Sequence, residues 1–132
     1  MKSPKRAMSY ATGPSQPRIC LVCIADPLIA LDVATILGEV YPSANLISEP
    51  DHAAALSAIE GVDSPPVAVL FLNPDLLDQS PLGKRLTELG AAIILMGTAA
   101  EESRAPHGHA VLQRPFRTAD LVALLPRDTL AG

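Results

Sequence analysis

Apolar residues along this chain occur in short runs that alternate with segments of helical spacing. Three runs are almost continuously apolar, the pattern of strands that are buried on both faces of a sheet. Two shorter runs complete a set of five predicted strands. The predicted strands cover residues 18–25, 44–48, 66–72, 91–96 and 109–113.

Helical segments with recognisable ends lie between these strands. Asp26 and Pro27 open the first helix, as an N-cap residue followed by proline at the first helical position. Gly61 and Gly90 are predicted to close the second and third helices, and Thr118 to cap the last. The predicted helices cover residues 27–40, 51–60, 81–89 and 119–125.

Two connections are less regular. Residues 73–80 are predicted to form a loop. Residues 97–109 hold at most a turn or two of helix near 99–104, because Pro106 and Gly108 interrupt the segment.

Strict alternation of strands and helices predicts an α/β fold with right-handed crossovers and helices on both faces of a parallel sheet. We predict a single-domain, flavodoxin-like, doubly wound sheet of five strands in the order 2-1-3-4-5, with a shortened fourth helix. The 132 residues suffice for one domain. We assign residues 18–126 to it, residues 1–17 to a disordered basic tail and residues 127–132 to a C-terminal tail.

Charge is distributed unevenly. Residues 1–18 hold four basic residues and no acid, whereas the remainder holds six basic and 14 acidic residues. An acidic domain argues against nucleic acid as a partner, since phosphate contacts need a basic surface. The chain shows neither a secretory signal nor a stretch of about 20 apolar residues that would cross a membrane, so we expect a cytoplasmic protein without a membrane partner.

Cysteines and histidines offer little chemistry. Cys20 and Cys23 lie in one predicted strand at an odd spacing, which places the two thiols on opposite faces. We therefore expect two buried, unpaired cysteines. His52, His107 and His109 do not supply three or four converging ligands, so they are interpreted as surface residues, and we predict no metal site.

The carboxyl ends of the strands are where an open α/β sheet places its ligands. In this chain those ends resemble the active-site edge of a response-regulator receiver domain over roughly residues 18–125. The match depends on ADPLIALD at 25–32 and VLQRPF at 111–116, where Pro115 takes the place of the family's cis-proline.

In that family, two acids after the first strand hold Mg²⁺, and an aspartate after the third strand receives a phosphoryl group. A Thr or Ser after the fourth strand and a Lys after the fifth contact the phosphoryl oxygens. The resemblance implies that these positions are held here, in chain order, by Ile24 and Ala25, Asn73, Met96 and Arg114. A shift of one residue would place Leu72 at the acceptor position.

These substitutions predict a degenerate site. Ile24 and Ala25 have no oxygen ligand for a hard cation, and an amide at Asn73 is a poor nucleophile. Asp26 lies one residue beyond the acid pair, and its simpler role is to cap a helix. A displaced acceptor, Asp75 or Asp26, remains an alternative, as does a small ligand at the vacated strand edge. Arg114 is expected to pair with Asp26 or Asp75; the alternative is that it holds a carboxylate or another anion beside the vacated pocket.

The resemblance therefore implies a stand-alone pseudo-receiver of two-component phosphorelay signalling that binds protein without being phosphorylated. We expect no enzyme activity and no cofactor. Its partner would be a histidine kinase, a phosphotransfer protein, another regulator or a second copy. The face predicted to make this contact holds Arg114, Phe116, Arg117 and Val122.

Overall fold

The computed structural model describes residues 17–103 and 109–126. The predictions made for residues 1–16, 104–108 and 127–132, including most of the basic tail, lie outside the described residues.

The five predicted strands form one parallel sheet in the order β2-β1-β3-β4-β5, which confirms the predicted fold class. In the described residues β5 is only two residues long, shorter than the predicted 109–113. The strands are β1 (Ile19–Cys23), β2 (Asn45–Ser48), β3 (Val67–Phe71), β4 (Ala92–Met96) and β5 (Ala110–Val111). Parallel pairing brings all their carboxyl ends to one border of the sheet, called the carboxyl edge below.

Helices occupy the connections between strands. They are α1 (Pro27–Val40), α2 (His52–Ala58), α3 (Pro74–Leu77), α4 (Pro81–Glu88), α5 (Thr98–Glu102) and α6 (Thr118–Leu124). At five residues, α5 is the predicted shortened helix. None of the helices in the described part of the chain has the length and apolar character needed to span a lipid bilayer.

Three helix boundaries differ from the prediction. The loop predicted at 73–80 contains α3, because the Asn73 side chain caps its first turn and Pro74 begins it. Helix α2 ends at Ala58, before Gly61. Thr118 is the first residue of α6 and not its cap; Arg117 precedes the helix, and its backbone N–H donates to the Asp120 carboxylate over 2.8 Å.

Two apolar layers enclose the sheet. One layer lies under α1 and α6 and contains Cys20, Val22 and Val69. The other lies under α2 and α4 and contains Leu21, Cys23 and Leu70. The two cysteines are buried and unpaired on opposite faces, as predicted.

Helices α3 and α4 approach each other closely at Gly83. A Cβ atom at this position would lie 1.9 Å from the carbonyl oxygen of Leu77. Only glycine fits there, which explains how a four-residue helix and its successor pack beside each other in so short a segment.

Candidate functional site

The central strands end in apolar side chains at the carboxyl edge. Ile24, directly after β1, is 2% exposed and packs in the same apolar layer as Met96, the last residue of β4. Ala25 is exposed. The two residues at the predicted acid positions therefore differ in environment, and neither side chain carries an oxygen atom.

Strand register identifies the residue that lies between Ile24 and Met96. Cys23 pairs with Leu70, and Phe71 pairs with Met96. Ile24 follows Cys23, and Phe71 follows Leu70. Ile24 therefore lies beside Phe71 where β1 and β3 end. The structure thus brings Ile24, Phe71 and Met96 together in one row, called the apolar row below.

Asn73 lies outside this row, two residues beyond the end of β3. Its side-chain oxygen Oδ1 accepts a hydrogen bond from the backbone N–H of Asp75 over 2.9 Å. This bond caps α3, so the amide serves the local backbone. The sequence match placed Asn73 at the acceptor position, whereas the register places Phe71 beside the other two residues of the apolar row.

The carbonyl oxygen of Phe71 is also occupied. It lies 3.3 Å from Nε2 of His52, the first residue of α2. His52 is half-buried, so its interpretation as a simple surface histidine was wrong. Its ring joins the start of α2 to the end of β3.

Arg114 is the centre of the charged part of the carboxyl edge. Its Nε donates to Glu101 Oε2 over 2.6 Å, and its Nη2 donates to Glu101 Oε1 over 3.3 Å. The same Nη2 donates to Thr98 Oγ1 over 3.2 Å. Arg114 Cζ lies 5.2 Å from the centroid of the Phe71 ring, within the range of a cation–π contact. We call these four residues the Arg114 cluster.

The predicted partners of Arg114 were wrong, because its carboxylate partner is Glu101 and not Asp26 or Asp75. Oδ1 of Asp26 caps α1 by accepting from the backbone N–H groups of Leu28 and Ile29 over 2.9 and 3.3 Å. The backbone of Asp75 is held in the first turn of α3. Glu101 is one turn into α5, which starts right after β4, the neighbour of β5.

Electrostatics keep this pair ionised. The hydrogen bond from Arg114 lowers the pKa of Glu101, and the same contact raises the pKa of Arg114. The charge of Asp26 also raises the pKa of Arg114, as a smaller contribution. Arg114 and Glu101 therefore form an ion pair at neutral pH.

The backbone has uncommon geometry at two positions next to the Arg114 cluster. Gly97 joins β4 to α5 with a φ of +102°, a conformation that side chains disfavour. The Arg114–Pro115 peptide bond is cis, which agrees with the match of Pro115 to the family's cis-proline.

Of the four residues predicted to contact a partner, two are engaged within the domain and two are exposed. Arg114 belongs to the cluster, and Phe116 is half-buried against the layer under α1 and α6. Arg117 is exposed, and Val122 is 39% exposed.

A second apolar surface lies on α1. Leu28 and Leu31 are 75% and 63% exposed, because the buried side of this helix is formed by Ala30, Val33, Ile36 and Leu37. Leu31 borders two open grooves of about 370 and 500 Å³. The larger groove reaches Phe116 and Arg117. We call Leu28, Leu31 and these grooves the α1 surface; the two leucines fall outside the buried helical stripe, which was the signal in the sequence.

Metal-binding side chains do not gather in the described parts of the chain, where no group of three His, Cys, Asp or Glu residues is placed to hold an ion.

Comparison with solved structures shows a similar fold. The chain is similar to the solution structure of SdrG from Sphingomonas melonis Fr1, with a TM-score of 0.62 and 23% sequence identity. The similarity covers 83% of this chain and 94% of that one. No protein-family model and no curated protein matches the chain. The similarity shows the fold, a flavodoxin-like α/β sheet in a single domain.

Proposed function

We propose that this protein is a stand-alone pseudo-receiver of two-component phosphorelay signalling in the cytoplasm, which binds a signalling protein and does not accept a phosphoryl group itself. The observation that carries the proposal is the apolar row: Ile24, Phe71 and Met96 lie where a receiver needs oxygen atoms.

Phosphoryl transfer to a protein needs a nucleophile and a way to neutralise the developing charge. A carboxylate supplies the first in an acyl phosphate, and Mg²⁺ bound by oxygen ligands supplies the second. The phenyl ring of Phe71 and the hydrocarbon side chain of Ile24 can neither act as the nucleophile nor bind Mg²⁺. Their packing in an apolar layer also makes entry of a hydrated cation unfavourable.

The fold retains surfaces for binding, and the α1 surface is the best supported of them. Two large apolar side chains next to each other on one helix are a feature of contact sites. Asp32, Glu39 and Arg117 also line the larger groove, so it offers charges of both signs. We propose that this surface, extended to Arg117, receives a helix of a histidine kinase or phosphotransfer protein, or a second copy of this chain.

An NMR titration with beryllofluoride and Mg²⁺ tests the phosphorylation half of the proposal. We expect the amide signals of residues 24–26, 71–75, 96–98 and 114 to stay in place. Coordinated shifts of those signals, or labelling by acetyl phosphate, would overturn the proposal. Loss of labelling in Asp75→Ala or Asp26→Ala would then identify a displaced acceptor. Thermal-shift measurements with nucleotides test the small-ligand alternative, since a ligand of the folded state raises Tm.

Binding through the α1 surface is tested with a matched pair of variants. Leu28→Ser/Leu31→Ser removes the two apolar side chains, whereas Leu76→Ser removes a 49% exposed leucine from α3. We expect the double variant to lose at least tenfold in affinity for kinases and phosphotransfer proteins of the source organism, or to lose self-association in sedimentation. The Leu76 variant should behave like the wild type; equal losses in both would exclude the α1 surface.

A further inference from the structure

An open pocket of about 330 Å³ lies at the border of the sheet opposite the carboxyl edge. Arg18, directly before β1, lines it together with Val67 and Ala92, the first residues of β3 and β4. We propose that this pocket binds a small aromatic carboxylate, whose charge pairs with Arg18 and whose ring packs against proline. The inference goes beyond the proposed function, because the pocket shares no residue with the apolar row, the Arg114 cluster or the α1 surface.

Proline rings form much of the wall of the pocket. Four of the residues that line it are Pro17, Pro65, Pro66 and Pro126. Proline has no backbone N–H, so these residues add apolar ring surface without adding a donor. Proline rings and aromatic rings pack well against each other, which is the contact that proline-binding domains use. The wall therefore favours a flat aromatic group over a polar one.

Arg18 gives the pocket its charge. Among the described residues that line the pocket, it alone carries a charged side chain. Its guanidinium forms no ion pair within the described part of the chain, although residues 19–132 hold 14 acidic and six basic residues. A guanidinium matches the two oxygens of a carboxylate. Charge complementarity therefore points to an anion, and one base suits the single charge of a carboxylate.

The size of the pocket limits the ligand. Pockets for small molecules range from roughly 300 to 1,000 Å³, and a volume of about 330 Å³ is at the lower end of that range. One aromatic ring, or two fused rings, with a carboxylate attached is the class of ligand that such a space admits.

Hydrogen bonds hold the wall in place without a ligand. The N–H of Ala92 donates to the carbonyl oxygen of Pro66 over 3.0 Å. The hydroxyl of Tyr41, which is 6% exposed, donates to the carbonyl oxygen of Pro126 over 3.1 Å. The carbonyl oxygen of Arg18 accepts from the first residue of β2 over 2.8 Å. Binding therefore does not have to order these segments first, which favours affinity.

The experiment follows backbone amides by NMR while sodium benzoate or 2-naphthoate is added to the full chain. Benzamide and 2-naphthamide carry the same rings without the charge, and acetate carries the charge without a ring. We expect saturable shifts at residues 18, 64, 67 and 92 with both aromatic carboxylates. Each should bind about tenfold or more tightly than its uncharged counterpart, because the uncharged compound lacks the charge-assisted hydrogen bonds to Arg18.

Two matched pairs of variants locate the binding. Arg18→Gln removes the charge at the pocket, whereas Arg117→Gln removes an exposed arginine elsewhere. Ala92→Leu fills the pocket with a larger side chain, whereas Ala123→Leu makes the same change at an exposed position of α6. We expect Arg18→Gln to weaken benzoate binding by about tenfold and Ala92→Leu to abolish it, with both controls unchanged. If Ala92→Leu does not fold, Ser64→Leu narrows the same pocket.

Absence of saturable shifts with both aromatic carboxylates would overturn the inference, as would equal binding of benzoate and benzamide. Shifts of the same amides that depend on protein concentration alone would identify a second copy as the occupant, and would also overturn it. The test uses neither a phosphodonor nor a signalling partner. A negative result therefore leaves the pseudo-receiver proposal standing, and labelling by acetyl phosphate would overturn that proposal without affecting this one.

Discussion

The carboxyl edge of the sheet has two regions with opposite chemistry. At the centre, β1, β3 and β4 end in the apolar row of Ile24, Phe71 and Met96. At the side, the turn after β5 and the first turn of α5 carry the paired charges of Arg114 and Glu101. Carboxylates crowded at the centre would repel one another without a cation between them. An apolar row needs no cation, and the arginine at the side then needs a carboxylate from within the chain.

The largest expected effect comes from restoring an acid to the apolar row. Ile24→Asp places a carboxylate at a position that is 2% exposed, beside apolar neighbours. We expect the free energy of unfolding to fall by about 4 kcal/mol or more, measured by urea denaturation. Ala25→Asp, at the adjacent exposed position, should change it by no more than about 0.5 kcal/mol. Equal stability of the two variants would show that the centre is not closed to charge.

The link between the two regions gives the next effect. Gly97 joins β4 to α5 at a φ of +102°, and an added Cβ would lie 3.6 Å from the Phe71 ring, an ordinary contact. The cost of Gly97→Ala is thus one of backbone conformation, about 1–3 kcal/mol. Gly61→Ala has no atom within 4 Å of the new Cβ and should leave the midpoint of urea unfolding unchanged or raised. A Gly97→Ala protein as stable as Gly61→Ala would argue against a strained link.

Asp26 lies next to the apolar row. Two variants of this residue distinguish the contribution of its helix-capping oxygen from that of its charge. Asp26→Ala removes the cap of α1 and should cost about 1 kcal/mol in thermal or urea unfolding. Asp26→Asn keeps an oxygen that accepts from the backbone N–H groups, so its stability should stay within a few tenths of a kcal/mol of the wild type. A large loss in Asp26→Asn would mean that the charge matters more than the cap.

The smallest effect concerns the charged region and depends on pH. Arg114 holds the pKa of Glu101 below its ordinary value, which is about 4.3 in an unfolded chain. The stabilisation is therefore complete above that value and is lost as the pH falls through the lower pKa of the folded state. At pH 7, Glu101→Gln should be less stable by at most about 1 kcal/mol.

This difference between the wild type and Glu101→Gln should shrink in acid, as followed by urea unfolding from pH 7 to pH 3. A difference that does not change over this range would exclude the ion pair as its source.

The fold could be predicted from the sequence because its signals are local. Near-continuous apolar runs indicate strands buried on both faces, and Asp26-Pro27 indicates where α1 begins. The same type of signature at Asn73-Pro74 also begins a helix, α3, although the segment was predicted to be a loop. A capping residue with proline after it is thus informative even where only four helical residues follow.

The site was less predictable because its contacts depend on register and helix position. Matching letters around Asn73 could not show that Phe71 is the residue paired with Met96. The partner of Arg114 depends on where α5 starts, and that start is fixed by the backbone of Gly97. Leu28, Leu31 and Ile36 are all large apolar residues of α1, yet only Ile36 lies on the buried side of the helix.

Cys20 and Cys23 lie on opposite faces of the same strand, which makes them separate reporters of native-state opening. Burial raises the pKa of each thiol to about 11, and for Cys23 the charges of Asp51 and Glu49 add to the effect. Each thiol is therefore protonated and covered until its own layer loosens. Reaction of single-cysteine variants with a thiol reagent would time the release of α1 and α6 from the sheet separately from that of α2 and α4.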